Sequence, residues 1–401
     1  MFGEILIAAL FGIAAGIVTG LTPGVHINLV SVLLLSSAAY LSKYVSLFAL
    51  ACFIISMGIT HTFLDVLPSI FLGAPDEKTA LGVLPGHRYL LKGKGYTAVK
   101  LSCIGAYFGL ILSVILFPLF YIILKFLYPL LQDYMGWLLL LIALYMVLRD
   151  RKRLWAAYIF MLSGVFGLIT FNIYPLKDPL FPMLSGLFGI STLIVSLNDK
   201  NRIPKQRITK SLKLDKSKLL QALLSGNFSA FFVSTFPGLS SSIAAVMSLQ
   251  VTKKLGDYGF LVLLGAIGTA GFSLSLVALT ALNKARNGPV IVIAQLLQTV
   301  TMTHIIYFLV ISVIAGSIAF MLSLYLGRSF SSWITKVNYK LLVISIILFV
   351  TALVFFLTGW IGLIVLACST AIGLIPAIVK TTRTQAMGCL MLPVIVYFLM
   401  A

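Results

Sequence analysis

The sequence predicts an all-α polytopic membrane protein with about ten spanning segments. Apolar residues make up 60% of the 401-residue chain, charged residues only 10%, and the mean hydropathy is +1.10. A soluble globule could not cover its surface with so few polar groups, so the bilayer must be the solvent. Apolar stretches of ~20 residues, the length that crosses the hydrocarbon core, recur from Ile5 to Met400.

The net charge of +19 would suggest a nucleic-acid partner in a soluble protein. Here most of the Lys and Arg residues occupy short breaks between apolar segments, where they carry information on topology. We therefore expect the lipid bilayer, and no nucleic acid, as the surroundings of this chain.

The longest hydrophilic stretch, Asp199 to Lys218, divides the chain near its middle. A central division of this kind is typical of a chain built from two internal repeats. We predict a first transmembrane repeat over residues 1–198, a basic cytoplasmic linker over 199–218 and a second transmembrane repeat over 219–401.

Each half contains a Pro-Gly pair that interrupts an apolar helix near its start. The pairs are Pro23-Gly24 and Pro237-Gly238. Proline removes a backbone donor and glycine permits close approach, so we predict a re-entrant helix hairpin at each pair, with its two arms meeting inside the membrane. The alternative, in which both pairs are kinks in ordinary spanning helices, stays open because membrane helices tolerate proline.

The basic residues favour the re-entrant hairpins. If neither hairpin crosses the membrane fully, all but five of the 29 Lys and Arg residues fall on one side, as expected of cytoplasmic loops. The first half then starts outside and ends inside, and the second half does the reverse. The two repeats are therefore predicted to be inverted in topology, as in many secondary transporters. The five exceptions are Lys43, Lys125, Lys177, Lys284 and Arg286.

The helices that begin after Gly24 and Gly238 would point their N-termini toward the midplane. Helix N-termini present unpaired N–H groups and a partial positive charge, which attract anions. Hydroxyl and amide side chains nearby can bind a carboxylate without burying a full positive charge. The alternative is that the small side chains only permit close helix packing. The predicted substrate-binding residues are Thr22, Pro23, Gly24, His26, Asn28, Thr235, Pro237, Gly238, Ser240, Ser241 and Ser242.

One acidic residue, Asp65, lies deep in an apolar segment. An ionisable group in such a place is a functional candidate. His61 lies four residues earlier and therefore on the same helix face. We predict that His61 and Asp65 couple transport to Na⁺ or H⁺. The alternative is that Asp65 caps backbone groups at the end of its helix, beside Pro68.

The motifs of common enzymes are missing from the sequence. It contains no H-E-x-x-H, no G-x-S-x-G and no P-loop lysine. Its cysteines and histidines do not occur at metal-binding spacing. We therefore expect no enzymatic activity, no metal site and no cofactor, and a driving force that comes from an ion gradient or a partner.

Four short segments rich in glycine and proline stand out: Gly20-Leu21-Thr22-Pro23-Gly24, the stretch from Leu67 to Pro75, the segment from Leu84 to Gly95, and Pro237-Gly238. Together they resemble the large, TctA-like membrane subunit of the tripartite tricarboxylate transporter family. The chain is shorter than the usual large subunit, which favours a diverged, archaeal branch. The resemblance implies a carboxylate transporter that works with a small membrane subunit and an extracytoplasmic binding protein.

We therefore predict a secondary transporter of small organic anions, di- or tricarboxylates, that works by alternating access in a prokaryotic plasma membrane. The chain could also form a homodimer. An alternative is a translocase of polyprenyl phosphates, which would need a lateral apolar opening and a basic pocket near Lys284 and Arg286. A scaffold or receptor without transport is disfavoured by the polar residues predicted at the midplane.

Overall fold

The structure is a computed structural model in which every regular element of the described residues is a helix. The all-α class predicted from the sequence is therefore confirmed. The described residues are 2–22, 27–71, 83–174, 176, 179–197, 204–209, 212, 215–235, 241, 244–245, 247–248, 252, 255–285, 287–336 and 339–400.

The first half contains short and long helices that follow one another with brief turns. The turn between α8 and α9 is the 3₁₀ segment Gln132–Tyr134, and a π-helical stretch, Ser185–Ile190, joins α11 to α12. The helices are α1 (Phe2–Leu21), α2 (Ile27–Ser36), α3 (Ala38–Leu41), α4 (Leu47–Leu64), α5 (Val66–Phe71), α6 (Val83–Leu91), α7 (Gly95–Ile115), α8 (Phe117–Leu131), α9 (Met135–Arg149), α10 (Arg153–Phe171), α11 (Leu180–Leu184) and α12 (Ser191–Leu197).

The second half contains longer helices. A 3₁₀ turn, Arg383–Met387, precedes the last of them. The helices are α13 (Lys216–Thr235), α14 (Gly256–Leu282), α15 (Gly288–Leu297), α16 (Met302–Trp333), α17 (Tyr339–Val379) and α18 (Gly388–Met400).

Nine helical segments in the described ranges are long and apolar enough to cross a bilayer, so the chain is a multi-pass membrane protein. The segment Val343–Val379 has 37 residues. A helix of that length measures ~55 Å, whereas the hydrocarbon core is ~30 Å thick. Gly359 interrupts this helix, because its φ of 68° and ψ of −162° lie outside the helical region. Therefore α17 consists of two helical segments.

Two helices lie at the centre of the protein. The α4–α5 segment is 83% buried and α14 is 72% buried, more than the other spanning segments of the described chain. α4 packs against α1 and α16, whereas α14 packs against α13 and α7. Each central helix therefore contacts the first helix of its own half and helices of the other half, and the two also contact each other.

Glycines let α7 and α14 approach with their backbones in contact. A Cβ atom at Gly265 would lie 2.0 Å from the carbonyl oxygen of Ser102, and one at Gly105 would lie 2.0 Å from that of Val262. No larger residue fits at either position unless the helices move apart. In membranes, such small residues replace the hydrophobic effect as the source of tight helix packing.

Part of the predicted linker lies against the turn between α6 and α7. Gln206 is buried, and its Oε1 accepts a hydrogen bond from the N–H of Gly95 at 2.8 Å. Its Nε2 donates to the carbonyl of Leu90 at 3.0 Å. The N–H of Arg207 donates to the carbonyl of Gly93 at 2.8 Å. Residues 204–209 are therefore attached to the first half.

Two further contacts join segments that are distant in sequence. Between α9 and α10, Asp150 accepts a hydrogen bond from the hydroxyl of Thr382 at 2.6 Å. Partial burial alone would raise the pKa of Asp150, but hydrogen bonds from Thr382 and Lys152 lower it below its ordinary value. Near the N-terminus, the carboxylate of Glu4 accepts a hydrogen bond from the N–H of Ser46.

The glycine contact predicts opposite effects for two substitutions in α14. Gly265→Ala should lower the melting temperature, because overpacking costs ~1–3 kcal/mol. Gly271→Ala is the matched control, because a Cβ there meets no atom within 4 Å. It should leave the melting temperature unchanged or raise it, since alanine favours a helix by up to ~1 kcal/mol. Thermal unfolding of the purified protein in detergent measures both. Equal melting temperatures would contradict the proposed backbone contact.

Candidate functional site

Four of the predicted substrate-binding residues can be located in the structure: Thr22, Asn28, Thr235 and Ser241. The geometry of the two Pro-Gly interruptions themselves stays a prediction. The other predicted residues lie outside the described ranges; they are Pro23, Gly24, His26, Pro237, Gly238, Ser240 and Ser242.

The polar residues of the first half flank the end of α1 and the start of α2. Thr22 directly follows α1, and its N–H donates to the carbonyl of Val18 at 3.1 Å. Asn28 lies in the first turn of α2 with an accessible side chain. A Cβ at Gly288, in the first turn of α15, would lie 2.7 Å from the Oδ1 of Asn28. Asn28 therefore lies where the first half meets the second.

The polar residues of the second half are buried. Thr235 ends α13, is only 2% exposed, and its hydroxyl has no hydrogen-bond partner among the described residues. The neighbouring Ser234, by contrast, donates to the carbonyl of Phe231 at 2.9 Å. Ser241 is also buried. Because buried polar atoms in proteins are almost always hydrogen-bonded, the Thr235 hydroxyl is well suited to bind a water molecule or a ligand.

His61 connects the central helix α4 to α1. Its side chain is buried, and its Nδ1 lies 3.1 Å from the hydroxyl oxygen of Thr19. Thr19 lies on α1 three residues before Thr22. His61 therefore contacts the helix that leads to the first predicted anion-binding residues.

Asp65 lies one helical turn after His61 and is also buried, with 5% of its surface exposed. The backbone stays helical through this position, because the N–H of Ser69 donates to the carbonyl of Asp65 at 3.2 Å. The following Pro68 lies in the first turn of α5, where proline is tolerated. The side chain of Asp65 lines a cavity.

This cavity lies between α4, α5, α7 and α14 and has a volume of about 30 Å³. A water molecule needs ~10–15 Å³ of such space, so the cavity holds about two particles of that size. Its walls come from both halves of the chain. The lining residues are Thr62, Asp65, Val66, Ser69, Ile70, Ser102, Leu261, Leu264, Gly265 and Gly268.

Two pairs of hydroxyls join the two halves. The Oγ1 atoms of Thr62 on α4 and Thr269 on α14 are 3.1 Å apart. The Oγ atoms of Ser113 on α7 and Ser273 on α14 are 2.6 Å apart. Interhelical hydrogen bonds of this kind stabilise membrane proteins by ~0.6–2 kcal/mol. One face of α14 therefore contacts hydroxyls from two helices of the first half.

Sequence reasoning identified Asp65 but missed the other polar residues of the cavity. Thr62, Asp65 and Ser69 recur at a spacing of three and four, which places them on one helix face. That spacing could have been recognised in the sequence. The sequence carries no comparable signal for Ser102 and Gly265, because their place in the cavity depends on the pairing of α7 with α14.

Comparison with known proteins shows which family the chain belongs to. The tripartite tricarboxylate transporter TctA family matches residues 6–388. An uncharacterized protein of Methanocaldococcus jannaschii is 29% identical over 405 residues, which cover 98% of this chain and 99% of that protein. No solved structure matches the chain significantly.

The match confirms the family that the Pro-Gly and flanking motifs predicted. It covers nearly the whole chain, so both halves and the cavity between them lie within the family region. This family consists of transporters and not of enzymes. The protein therefore belongs to the tripartite tricarboxylate transporter TctA family.

Proposed function

We propose that this protein is the membrane subunit of an ion-coupled secondary transporter that takes up small organic anions, di- or tricarboxylates in kind. One observation carries the proposal. The polar ends of α1 and α13 belong to helices that pack on α4 and α14, and these central helices contact each other through Thr62 and Thr269. The groups proposed to bind the anion are thus attached to one shared core.

The helix contacts support two related repeats. α4 packs on α1 as α14 packs on α13, and α4 packs on α16 as α14 packs on α7. Exchanging the two halves converts each contact into the other. Alternating access by rocking of one repeat against the other is the common mechanism of such transporters.

We place the substrate between the two interrupted helices, at Thr22 and Asn28 of one half and Thr235 and Ser241 of the other. The Thr235 hydroxyl supports this placement, because it is buried and has no partner among the described residues. A carboxylate oxygen could accept its proton, and helix N-termini would supply the positive potential.

The contacts between distant segments support the proposed orientation. Asp150 and Thr382 touch, and both lie beside loops predicted on the inner side. Glu4 and Ser46 touch, and both lie in segments predicted on the outer side. Because ~30 Å of hydrocarbon separates the two sides, segments in contact must share a side. We therefore place the 199–218 linker in the cytoplasm of a prokaryotic cell.

The family works with a small membrane subunit and a binding protein in tripartite transporters, and we extend these partners to this chain. We assign ion coupling to His61 and Asp65. The contact of His61 with Thr19 supports this assignment, because it connects α4 to the end of α1.

The alternative of a polyprenyl-phosphate translocase gains no support. It would need a basic pocket near Lys284 and Arg286. Lys284 is accessible, and its Nζ lies 5.3 Å from the ring centroid of Tyr128, which is a cation–π contact. Arg286 lies outside the described residues.

The proposed anion site predicts weaker carboxylate binding when one of its polar groups is removed. Asn28→Ala, Ser241→Ala and Thr235→Val should each weaken binding up to about tenfold, the equivalent of one hydrogen bond. Ser234→Ala is the control, because this neighbouring hydroxyl already donates to its own helix. Calorimetry of the purified proteins with a panel of carboxylates measures the affinities. Unchanged affinity in all three variants would show that the site lies elsewhere.

The proposed topology predicts labelling of Ser42→Cys and Lys205→Cys from opposite sides of the membrane. Both positions are accessible. A membrane-impermeant maleimide should label position 42 in intact cells, and position 205 only after the cells are opened. The background protein needs its four cysteines replaced. Labelling of both positions from one side would exclude the inverted repeats.

Ion coupling predicts accumulation of substrate in proteoliposomes. With a tenfold inward Na⁺ or H⁺ gradient and one coupled ion, the substrate should accumulate up to about tenfold, because the two gradients store equal free energy. Collapse of the gradient with an ionophore is the control. Flux that is indifferent to both gradients would exclude coupling and leave a facilitator.

A further inference from the structure

We propose that an anionic phospholipid binds where the α9–α10 turn meets the end of α17, with its phosphate held by Arg151, Arg153 and Lys380. This lipid site goes beyond the proposed function and does not depend on it. It lies at the ends of spanning helices, whereas the carboxylate site is proposed near the membrane midplane.

Two short turns, residues 150–152 and 380–382, each join a pair of candidate spanning segments. Because a spanning helix leaves the hydrocarbon core near its end, each turn lies at a membrane surface. The turns also touch, so they lie at the same surface. The segments are Phe117–Arg149 with Arg153–Phe171, and Val343–Val379 with Arg383–Met400.

Hydrogen bonds join the two turns. The Nζ of Lys152 donates to the carbonyl of Val379 at 2.8 Å. The carboxylate of Asp150 accepts hydrogen bonds from the N–H of Thr382 at 3.2 Å and from its hydroxyl at 2.6 Å. Each turn also carries a basic residue beside these contacts, which is Arg151 in the first turn and Lys380 in the second.

The junction of the two turns is strongly basic. Between residues 146 and 160 and between 376 and 389, the sequence has six basic residues and a single acidic one, Asp150. Both carboxylate oxygens of Asp150 are engaged within the junction, because Oδ1 accepts from the N–H of Lys152 at 3.0 Å and Oδ2 from Thr382. The side chains proposed to hold the phosphate are exposed, and arginine and lysine are the residues that bind phosphate oxygens. They are Arg151, Arg153 and Lys380.

Exposed apolar side chains lie next to the basic ones. Leu154 is 88% exposed and Ile378 is 75% exposed, and each lies within two residues of a proposed phosphate ligand. The exposed rings of Trp155 and Tyr158 follow on α10, with their centroids 5.8 Å apart. Tyrosine and tryptophan are enriched at the boundary between hydrocarbon and headgroups. The junction therefore presents charge to a headgroup and apolar surface to its acyl chains.

This combination favours a phospholipid over a soluble anion. A free phosphate would contact only the basic side chains, whereas a phospholipid contacts the apolar ones as well. The charge favours an anionic lipid over a zwitterionic one, because anionic headgroups are attracted to basic residues at the ends of membrane helices.

A lipid at this junction would stabilise the contact between the two halves of the chain. α9 and α10 belong to the first half, and α17 and α18 belong to the second. α18 packs against α9 and α10, and α17 packs against α10. A phosphate held by both turns would add a link between these helices at the membrane surface.

The test measures lipid binding to the full-length protein in detergent, at constant salt and without any carboxylate substrate. Dioleoyl phosphatidylglycerol is the anionic probe, dioleoyl phosphatidylcholine the zwitterionic one, and glycerol 3-phosphate the soluble one. Native mass spectrometry counts the bound lipids, and thermal unfolding gives the melting temperature. We expect saturable phosphatidylglycerol binding and a saturable rise in the melting temperature that neither of the other probes reproduces.

A double variant and a matched control test the ligands. Arg151→Gln with Lys380→Gln should weaken phosphatidylglycerol binding roughly thirtyfold, because it removes two of the basic groups. The control, Lys205→Gln with Arg207→Gln, removes two exposed charges beside the α6–α7 turn and should bind the lipid like the parent protein. If the first double variant does not fold, Arg153→Gln decides, with an expected loss of about fivefold.

Four results would overturn the lipid site. They are equal stabilisation by phosphatidylcholine, equal stabilisation by glycerol 3-phosphate, unchanged binding in the variants of the junction, and an equal loss of binding in the control. None of them bears on carboxylate binding or transport, so the lipid site and the proposed function stand or fall separately.

Discussion

The backbone contact of α7 with α14 determines where the polar groups of the two halves meet. Gly105 and Gly265 permit this contact, and a larger side chain at either position would push the helices apart. As a result Ser102 lines the cavity beside Asp65, and Ser113 reaches Ser273 on the facing helix. The cavity therefore depends on two residues that have no side chains of their own.

Polar groups in the hydrocarbon core have no water to pair with, so they must find hydrogen-bond partners within the protein. Most buried hydroxyls of the described residues donate to a carbonyl of their own helix or pair with another hydroxyl. The hydroxyls of Thr60, Thr235 and Thr381 do not, within those residues. Thr60 and Thr235 lie on α4 and α13, helices that the proposed transport mechanism would expose to solute and water.

The sequence was sufficient to predict the membrane helices, because the bilayer imposes a minimum length on every apolar stretch. It also identified Asp65, since a carboxylate in such a stretch is rare. It could not distinguish Ser102 from Ser312, because both are serines in apolar helices. Only the structure shows that Ser312 donates to its own helix while Ser102 faces a cavity. Gly359 was missed for a similar reason, since glycine in an apolar run does not by itself indicate a break.

The break at Gly359 fits the path that the proposed topology gives α17 through the membrane. In the proposed topology Lys340 and Lys380, at its two ends, both lie on the cytoplasmic side, so the intervening chain must reach the opposite surface and return. Gly359 is the residue where it can reverse. The accessible rings of Phe356 and Trp360 then lie at the outer boundary between lipid and water, where aromatic side chains are favoured. The tip of this hairpin would fix how deeply the second half sits in the bilayer.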